Sequence, residues 1–264
     1  MTTHHDLNSP SQSHAWHKRG PVGAAADRHI RKLQRGYRTD SPVAVGALAR
    51  LRRGVGRPAL DLADLWGLTG SEELLAPPPS DALAEERQFI DLDHAELALH
   101  VAVTLWALHQ QSHREMDMHV TRHGLGRAVR ELMRRKAVSQ GDSVSTGKAG
   151  VASGEEINEP LRKRFVRVST ANSVDALAAR LREVVLLLRA GGVPLDYGLL
   201  ADQLYAWQRP SSRAHVHRAW GRDFHLAASR AKQQKSTTDD AGDVPGQRES
   251  SDPYQPYGSL VAGD

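Results

Sequence analysis

The sequence predicts an all-α fold, and three features of the chain support this prediction. Apolar residues recur every three or four positions, which is the spacing of one face of a helix. The clearest such stretch contains Val174, Leu177, Leu181, Val184 and Leu188. Residues typical of helix starts and stops flank these stretches, as Ser173 and the pair Gly191-Gly192 do here. No stretch shows the convincing alternation of a β-strand, and there is no long internal repeat.

In the first half of the chain, Ser41-Pro42 opens a helix that Gly54 closes. A short helix is predicted from Pro58 through Trp66, and the run Pro77–Pro79 then breaks the chain. A long helix from about Leu92 to His113 is apolar on nearly all sides at its centre, so we expect it to be buried.

In the second half, start and stop signals predict five helices, approximately Gly124–Lys136, Asn158–Val168, Ser173–Gly191, Asp196–Trp207 and Ser212–Arg230. Apolar neighbours predict that four tryptophans pack in the core: Trp66, Trp106, Trp207 and Trp220.

Polar stretches divide the predicted helices into two small bundles. Residues 1–22 are rich in His and Ser, and residues 232–264 in Gln, Ser, Asp, Gly and Pro, so both are predicted to be disordered tails. Residues 139–157 are rich in Gly, Ser and Thr and predict a flexible linker. An N-terminal helical domain, 23–138, and a C-terminal helical domain, 158–231, are expected on either side.

The composition excludes several classes of protein. The 264 residues include no cysteine, which excludes a disulfide framework, thiolate zinc sites and a cysteine nucleophile. The first residues lack the apolar segment of a signal peptide. The longest nearly apolar run, Ala95–Leu108, is shorter than the roughly 20 residues that span a bilayer. We therefore expect a cytoplasmic protein that does not contact membranes.

The charge of the chain is unevenly distributed. The formal net charge is +4, yet residues 232–264 hold six acidic and three basic residues, and residues 61–96 are also strongly acidic. The rest of the chain is correspondingly basic. Composition alone leaves two interpretations open, a polyanionic partner or ordinary solubility charge.

Helix geometry groups the basic residues into faces. In the segment Gly126–Lys136, Arg127, Arg130 and Arg134 fall within about 60° of one another around the helix. In the segment Leu161–Val168, Lys163, Arg164 and Arg167 share a face, with Arg162 beside it. Two further groups are Arg50, Arg52, Arg53 and Arg57, and Arg28, Arg31, Lys32, Arg35 and Arg38. Guanidinium groups can donate two hydrogen bonds to one phosphate, so these faces favour binding to nucleic-acid backbone.

Four segments, in order, resemble the CasB family, the small subunit of the type I-E CRISPR Cascade. They are Ala47–Arg53, Gly124–Leu132, Leu161–Arg167 with Asp175–Val185, and Val193–Trp207. The last is similar to the family's pattern L-D-W-x-x-L-A-x-x-L-x-x-W, with Tyr197 where the family often has Trp. The resemblance covers roughly Ala44–Trp220, and both the linker and the C-terminal tail look longer than the family needs.

The resemblance implies a non-catalytic, all-helical subunit without cofactor or metal. Its implied partners are the crRNA, the target and non-target DNA strands, the large and backbone subunits of Cascade, and a second copy of the chain. By motif, the resemblance implies backbone contacts for Arg53, Arg127, Arg164 and Arg167. Helix geometry alone adds Arg52, Arg130, Arg134, Arg162 and Lys163. The implied function is stabilisation of the R-loop in antiviral defence.

Three other interpretations stay open from the residues themselves. A helix-turn-helix regulator would use residues 199–220 to contact DNA. A metal enzyme would use the i,i+4 pairs His109/His113 or His119/His123, although no H-E-x-x-H motif occurs. A scaffold would pair the basic faces with acidic protein surfaces, such as residues 61–96 of another copy.

Overall fold

The computed structural model describes residues 19–58, 63–77, 81–141 and 154–240. This part of the chain contains α-helices, one 3₁₀ turn and a single isolated β-bridge between His119 and Leu195, with no strand. The all-α prediction is confirmed. In the described part, no helix is long and apolar enough to cross a lipid bilayer.

Most of the described helices are joined by short connections, whereas residues 111–124 form a longer connection between the helices Leu92–Gln110 and Leu125–Gly141. In chain order they are α1 Pro21–Arg38, α2 Pro42–Arg53, the 3₁₀ turn Ala63–Leu65, α3 Ser71–Leu75, α4 Asp81–Arg87, α5 Leu92–Gln110, α6 Leu125–Gly141, α7 Gly154–Ser169, α8 Val174–Ala190, α9 Tyr197–Trp207 and α10 Pro210–Asp240.

Helix α5 lies at the centre of the core. It packs against α1, α2, α8 and α9, and this explains why its sequence is apolar on nearly all sides rather than on one stripe. Trp106 is completely buried in the middle of α5, and its indole N–H donates to the side-chain oxygen of Gln34 in α1 at 3.2 Å. The prediction of a buried core helix at this place is confirmed.

Helices before and after the predicted linker pack against each other in one core. Helix α9, from the predicted C-terminal domain, packs against α1 and α5 of the predicted N-terminal domain. Two carboxylates strengthen this contact. Asp196 accepts two hydrogen bonds from Arg19, at 3.1 and 3.0 Å, and Asp202 accepts from the backbone N–H of Gly20 and Gly23 at 2.8 and 2.6 Å. The division of the chain into these two domains stays a prediction.

Three predicted boundaries need correction. The described chain begins at Arg19 and α1 at Pro21, so the predicted N-terminal tail, 1–22, ends too late; residues 1–18 lie outside the described part. Helix α6 extends to Gly141 and α7 begins at Gly154, with Pro160 inside it, so the ends of the predicted linker are helical. Residues 142–153 lie outside the described part.

The last helix is longer than the sequence predicts. Helix α10 continues to Asp240 and so includes the first residues of the predicted disordered tail, 232–264. The segment after His225 is rich in Ala, Lys, Gln and Arg, which are strong helix formers. Residues up to Ala228 belong to one compact unit, and the remaining residues of α10 belong to a second unit. Residues 241–264 lie outside the described part.

Three of the four tryptophans pack as predicted. Trp106, Trp207 and Trp220 are at most 1% exposed, but Trp66 is 73% exposed. The prediction for Trp66 is wrong because the 3₁₀ turn Ala63–Leu65 buries Leu65 instead, which leaves the following side chain outside the core.

Candidate nucleic-acid interface

Helix α6 has one buried and one basic face. Ala128, Val129, Leu132 and Met133 are buried on the inner side. On the outer side, Arg127 and Arg134 are exposed and Arg130 is half-buried. The division of this helix into a packing face and an arginine face is therefore as its sequence period predicts.

The start of α6 is held against α10 by close backbone contact. The backbone N–H of Arg127 donates to the Asp223 carboxylate at 2.9 Å. A Cβ atom added at Gly126 would lie 2.3 Å from the carbonyl oxygen of Trp220 and 2.5 Å from the backbone nitrogen of Phe224. The glycine thus allows the two helices to approach, and this contact sets where the arginine face begins.

Helix α7 has the same two-sided pattern. Leu161, Phe165 and Val168 are buried, and Arg162, Lys163, Arg164 and Arg167 are exposed. Glu159, one turn earlier, lies 3.5 Å from Arg162 and 3.8 Å from Lys163. These exposed ion pairs are weak, contributing about 0–1 kcal/mol each, so a phosphate can replace the carboxylate as the partner.

Helices α6 and α7 pack against each other, and Phe224 of α10 contacts both Arg130 of α6 and the buried side of α7. The guanidinium of Arg130 lies 5.5 Å from the ring centroid of Phe224 in α10. The Phe224 ring stacks on Phe165 of α7 at 5.4 Å between centroids. We call the basic residues on the outer sides of these two helices, α6 and α7, the α6–α7 surface. They are Arg127, Arg130, Arg134, Lys163, Arg164 and Arg167.

The α6–α7 surface retains most of its positive charge. Glu131, the nearest acidic residue in the sequence of α6, is held by Arg135 at 2.5 Å and by His123 at 3.2 Å. Among the carboxylates that the structure describes, none is within ion-pair distance of Arg127, Arg130, Arg134, Arg164 or Arg167. These guanidinium groups are therefore available to an external anion.

The basic residues at the end of α2 form a second patch, which we call the α2 patch. Helix α2 packs against α1 and α5. Arg50, Arg53 and Arg57 line a shallow pocket of about 180 Å³ together with Gly54, Asp64 and Leu65. Arg53 lies 3.7 Å from Asp64, whereas Arg52 is half-buried and does not line the pocket. The structure thus separates Arg52 from Arg53, although the sequence groups them together.

The arginines of α1 mostly stabilise the fold. Arg28 donates to the backbone carbonyl of Glu73 at 2.6 Å, Arg31 pairs with Asp27 at 2.9 Å, and Arg38 pairs with Asp117 at 3.0 Å. Basic spacing in the sequence does not distinguish such internal contacts from a binding face.

One exposed basic pair is not among the faces that the sequence predicts. Arg218 and Arg222 lie on the outer side of α10, away from the buried Trp220. Their i,i+4 spacing is a usable signal, although the sequence interpretation includes this segment only as part of a helix-turn-helix.

His109 and His119, which the metal-enzyme interpretation would use, are buried and make contacts inside the fold. The Nδ1 atom of His109 lies 2.8 Å from the hydroxyl of Tyr197, and burial lowers the pKa of His109 to about 3. The Nε2 atom of His119 lies 2.8 Å from Asp27. Among the described residues, no group of three or more His, Asp or Glu side chains could hold a metal ion. In the pair α9–α10, the Trp220 indole donates to Gln203 in the core at 2.7 Å.

Comparison with known proteins agrees with the resemblance seen in the sequence. A family model described as CRISPR-associated protein Cse2 matches residues 47–225, which include both basic patches. The crystal structure of CasB from Thermobifida fusca is 43% identical, with 79% of this chain and 99% of that chain covered and a TM-score of 0.60. A chain from a structure described as a CRISPR RNA-guided surveillance complex is 20% identical, with 81% and 99% covered and a TM-score of 0.50, so that likeness concerns the fold alone. No curated protein matches. The chain belongs to the Cse2 family of CRISPR-associated proteins.

Proposed function

We propose that this chain is a non-catalytic small subunit of a crRNA-guided type I-E Cascade complex, and that it binds nucleic-acid backbone to stabilise the R-loop. This proposal rests on the α6–α7 surface. It presents arginines from two neighbouring helices, and in the described part of the chain no carboxylate neutralises most of them.

The chemistry of the surface suits backbone rather than base recognition. Guanidinium groups on successive helical turns match a row of phosphates, and contacts of this kind position a protein on nucleic acid without reading its sequence. In guide-directed recognition, base pairing supplies the sequence information. The exchange of one DNA strand for guide RNA is nearly balanced in free energy, so backbone contacts can decide its outcome.

The proposal includes the partners that the family implies. The α6–α7 surface and the α2 patch would contact the crRNA, the target strand and the displaced non-target strand. Other surfaces would contact the large and backbone subunits and a second copy of the chain, in the cytoplasm. Membership of the Cse2 family and the 43% identity to CasB from Thermobifida fusca support this assignment. Cleavage of DNA would then belong to another protein.

The test replaces Arg127 and Arg134, two exposed arginines of α6, with alanine, and leaves Arg130 in contact with Phe224. Loss of two phosphate contacts should reduce the salt dependence of DNA binding by about 1.5 in the slope of log K against log salt. The R-loop lifetime should shorten about tenfold, which corresponds to about 1.4 kcal/mol.

A matched control replaces Lys32 and Arg35, two exposed basic residues one turn apart on α1. This control should leave the R-loop lifetime unchanged. An unchanged lifetime in the Arg127/Arg134 variant, with normal helical circular dichroism and normal assembly, would contradict the proposed role of the α6–α7 surface.

A further inference from the structure

We propose that Trp66 and the pocket beside it form a binding site for one unpaired nucleotide, with the base stacked on the indole and a phosphate held by Arg50, Arg53 and Arg57. This inference rests on the proposed function, since it assumes a nucleic-acid partner. It adds a subsite that distinguishes single strands from duplexes.

The first observation is the exposure of Trp66. Its side chain is 73% exposed, while Trp106, Trp207 and Trp220 are at most 1% exposed. Burying a side chain as large and apolar as tryptophan strongly stabilises a fold. The chain leaves this contribution unused at Trp66, so the indole is available to an external partner.

The second observation is that the turn before Trp66 forms part of the arginine pocket. Asp64 and Leu65 line the pocket, and the backbone N–H of Trp66 donates to the carbonyl of Ala63 at 3.2 Å. Leu65 is buried and anchors the turn. The indole therefore starts one residue beyond the pocket wall, on a turn with fixed hydrogen bonding.

Close packing holds the pocket and the turn together. A Cβ atom added at Gly54 would lie 2.4 Å from a terminal methyl of Leu65 and 3.2 Å from a methyl of Thr104 in α5. Gly54 follows α2 directly, so the missing side chain lets the turn approach the helix end that carries Arg50 and Arg53. The turn before Trp66 and the helix end that carries Arg50 and Arg53 are thus held together by the contact between Gly54 and Leu65.

The charge and size of the pocket fit a phosphate. Three arginines and one carboxylate line a volume of about 180 Å³, which leaves an excess of positive charge in a space too small for a base pair. The ion pair between Arg53 and Asp64 is long, at 3.7 Å, and both side chains are more than half exposed. A phosphate can therefore compete with Asp64 for Arg53.

A base can stack on Trp66 only if its face is free. In a duplex both faces of each base are covered by neighbouring pairs, whereas single strands can place successive bases on aromatic side chains. An exposed indole one residue beyond a pocket lined by three arginines therefore favours a single strand, either displaced DNA or unpaired guide RNA. The shared ligand is a nucleotide with an unstacked base.

The test measures binding of 12-nucleotide single-stranded DNA and RNA, and of a 12-base-pair duplex, to the full chain at low salt. Trp66→Ala should weaken single-strand binding about five-fold or more, the effect of removing one stacked base. Trp66→Phe should restore most of the loss, and binding to the duplex should change less than two-fold. The DNA and RNA arms show which strand the site prefers.

Two controls make the result specific. Phe89→Ala removes another aromatic side chain that is 81% exposed but is not adjacent in the chain to any residue that lines the arginine pocket, and it should leave single-strand binding unchanged. Quenching of tryptophan fluorescence by the single strand should persist in Trp16→Phe and disappear in Trp66→Phe.

Single-strand binding that is unchanged in Trp66→Ala, or equal losses for single strand and duplex, would overturn the stacking site. If Arg127/Arg134 replacement still weakened binding in that case, the proposed function would stand without this subsite. A wild-type chain that binds neither single strand nor duplex would overturn both.

Discussion

Asp27 connects three segments of the chain through a single carboxylate. Its oxygens lie 2.8 Å from Nε2 of His119 and 2.9 Å from Nε of Arg31, and Arg19 is 3.6 Å away. Burial alone would raise the pKa of Asp27, but these partners outweigh it and hold the pKa at about 2, below its usual 3.8. His119 in turn accepts the backbone N–H of Tyr197 at 3.1 Å, so α1 and the start of α9 are joined through this pair.

Replacing Asp27 with asparagine should lower stability in a pH-dependent manner. Because the folded pKa is below the unfolded value, the ionised carboxylate stabilises the fold above about pH 4, and this stability is lost as the pH falls toward 2. We expect a loss of about 2 kcal/mol at pH 7 that shrinks between pH 4 and pH 2, measured by urea unfolding.

Asp117→Asn provides the comparison for this prediction. Asp117 pairs with Arg38 at the surface, where both side chains are about 40% exposed, so its replacement should cost less than about 1 kcal/mol. A stability difference for Asp27→Asn that is constant from pH 7 to pH 2 would show that its charge is not what stabilises the fold.

At the scale of single residues, the sequence predicts which side chains are exposed better than it predicts their hydrogen-bond partners. The helix period correctly separates Arg127 and Arg134 from the buried Leu132, because both sets lie on one regular element. The partner of His119 is 92 positions away, and no local pattern contains that information. The prediction for Trp66 is wrong for a related reason, since only the tertiary position of Leu65 decides which side chain of the turn is buried.

The packing of α6 against α10 depends on a single small residue. Gly126 is in the first turn of α6, and the backbone of α10 would contact any side chain there. Gly46 lies within α2 and provides a contrast, because a Cβ atom added there would meet no neighbouring atom within 4 Å.

Alanine at these two glycines should have opposite effects on stability. Gly126→Ala should destabilise the protein by about 1–3 kcal/mol, because backbone cannot move aside as a flexible side chain can. Gly46→Ala should stabilise it by about 0.5–1 kcal/mol, because alanine loses less backbone entropy in a helix. Thermal unfolding of both variants tests this pair, and equal effects would contradict the close approach of α6 and α10.

The sequence predicts some helix starts correctly and others wrongly, and it does not predict α1. Asn158 and Ser212, both predicted helix starts, lie inside α7 and α10. Ser173 and Asp196, both predicted helix starts, accept hydrogen bonds from the backbone N–H of Ala176 and Leu199 at 3.2 and 2.9 Å. The start and stop signals do not identify α1, whose buried face places Val22, Ile30 and Tyr37 among small residues and polar ones such as His29. That face becomes a packing surface only when α9 and α5 supply hydrogen-bond partners and close contact.

In the whole molecule, the positions of the basic patches and the packing of the apolar core depend on different features of the sequence. The core runs through helices from both halves of the chain, although the polar stretch near residue 150 predicts two bundles. Local periodicity identifies buried faces but does not state which faces meet. A basic patch requires only that its side chains are exposed, and the helix period predicts this exposure for α6 and α7. The sequence does not predict that Phe224 of α10 contacts both Arg130 and Phe165.

Co-purification of this chain with its genomic neighbours tests its membership of an RNA-guided complex in one step. A tagged, full-length chain should elute in a large particle that contains other protein subunits and short RNA of one defined length, as expected for a subunit of such a complex. Elution of the chain alone, with protection of a specific duplex DNA site, would contradict the proposed function and favour a helix-turn-helix regulator that uses residues 199–220.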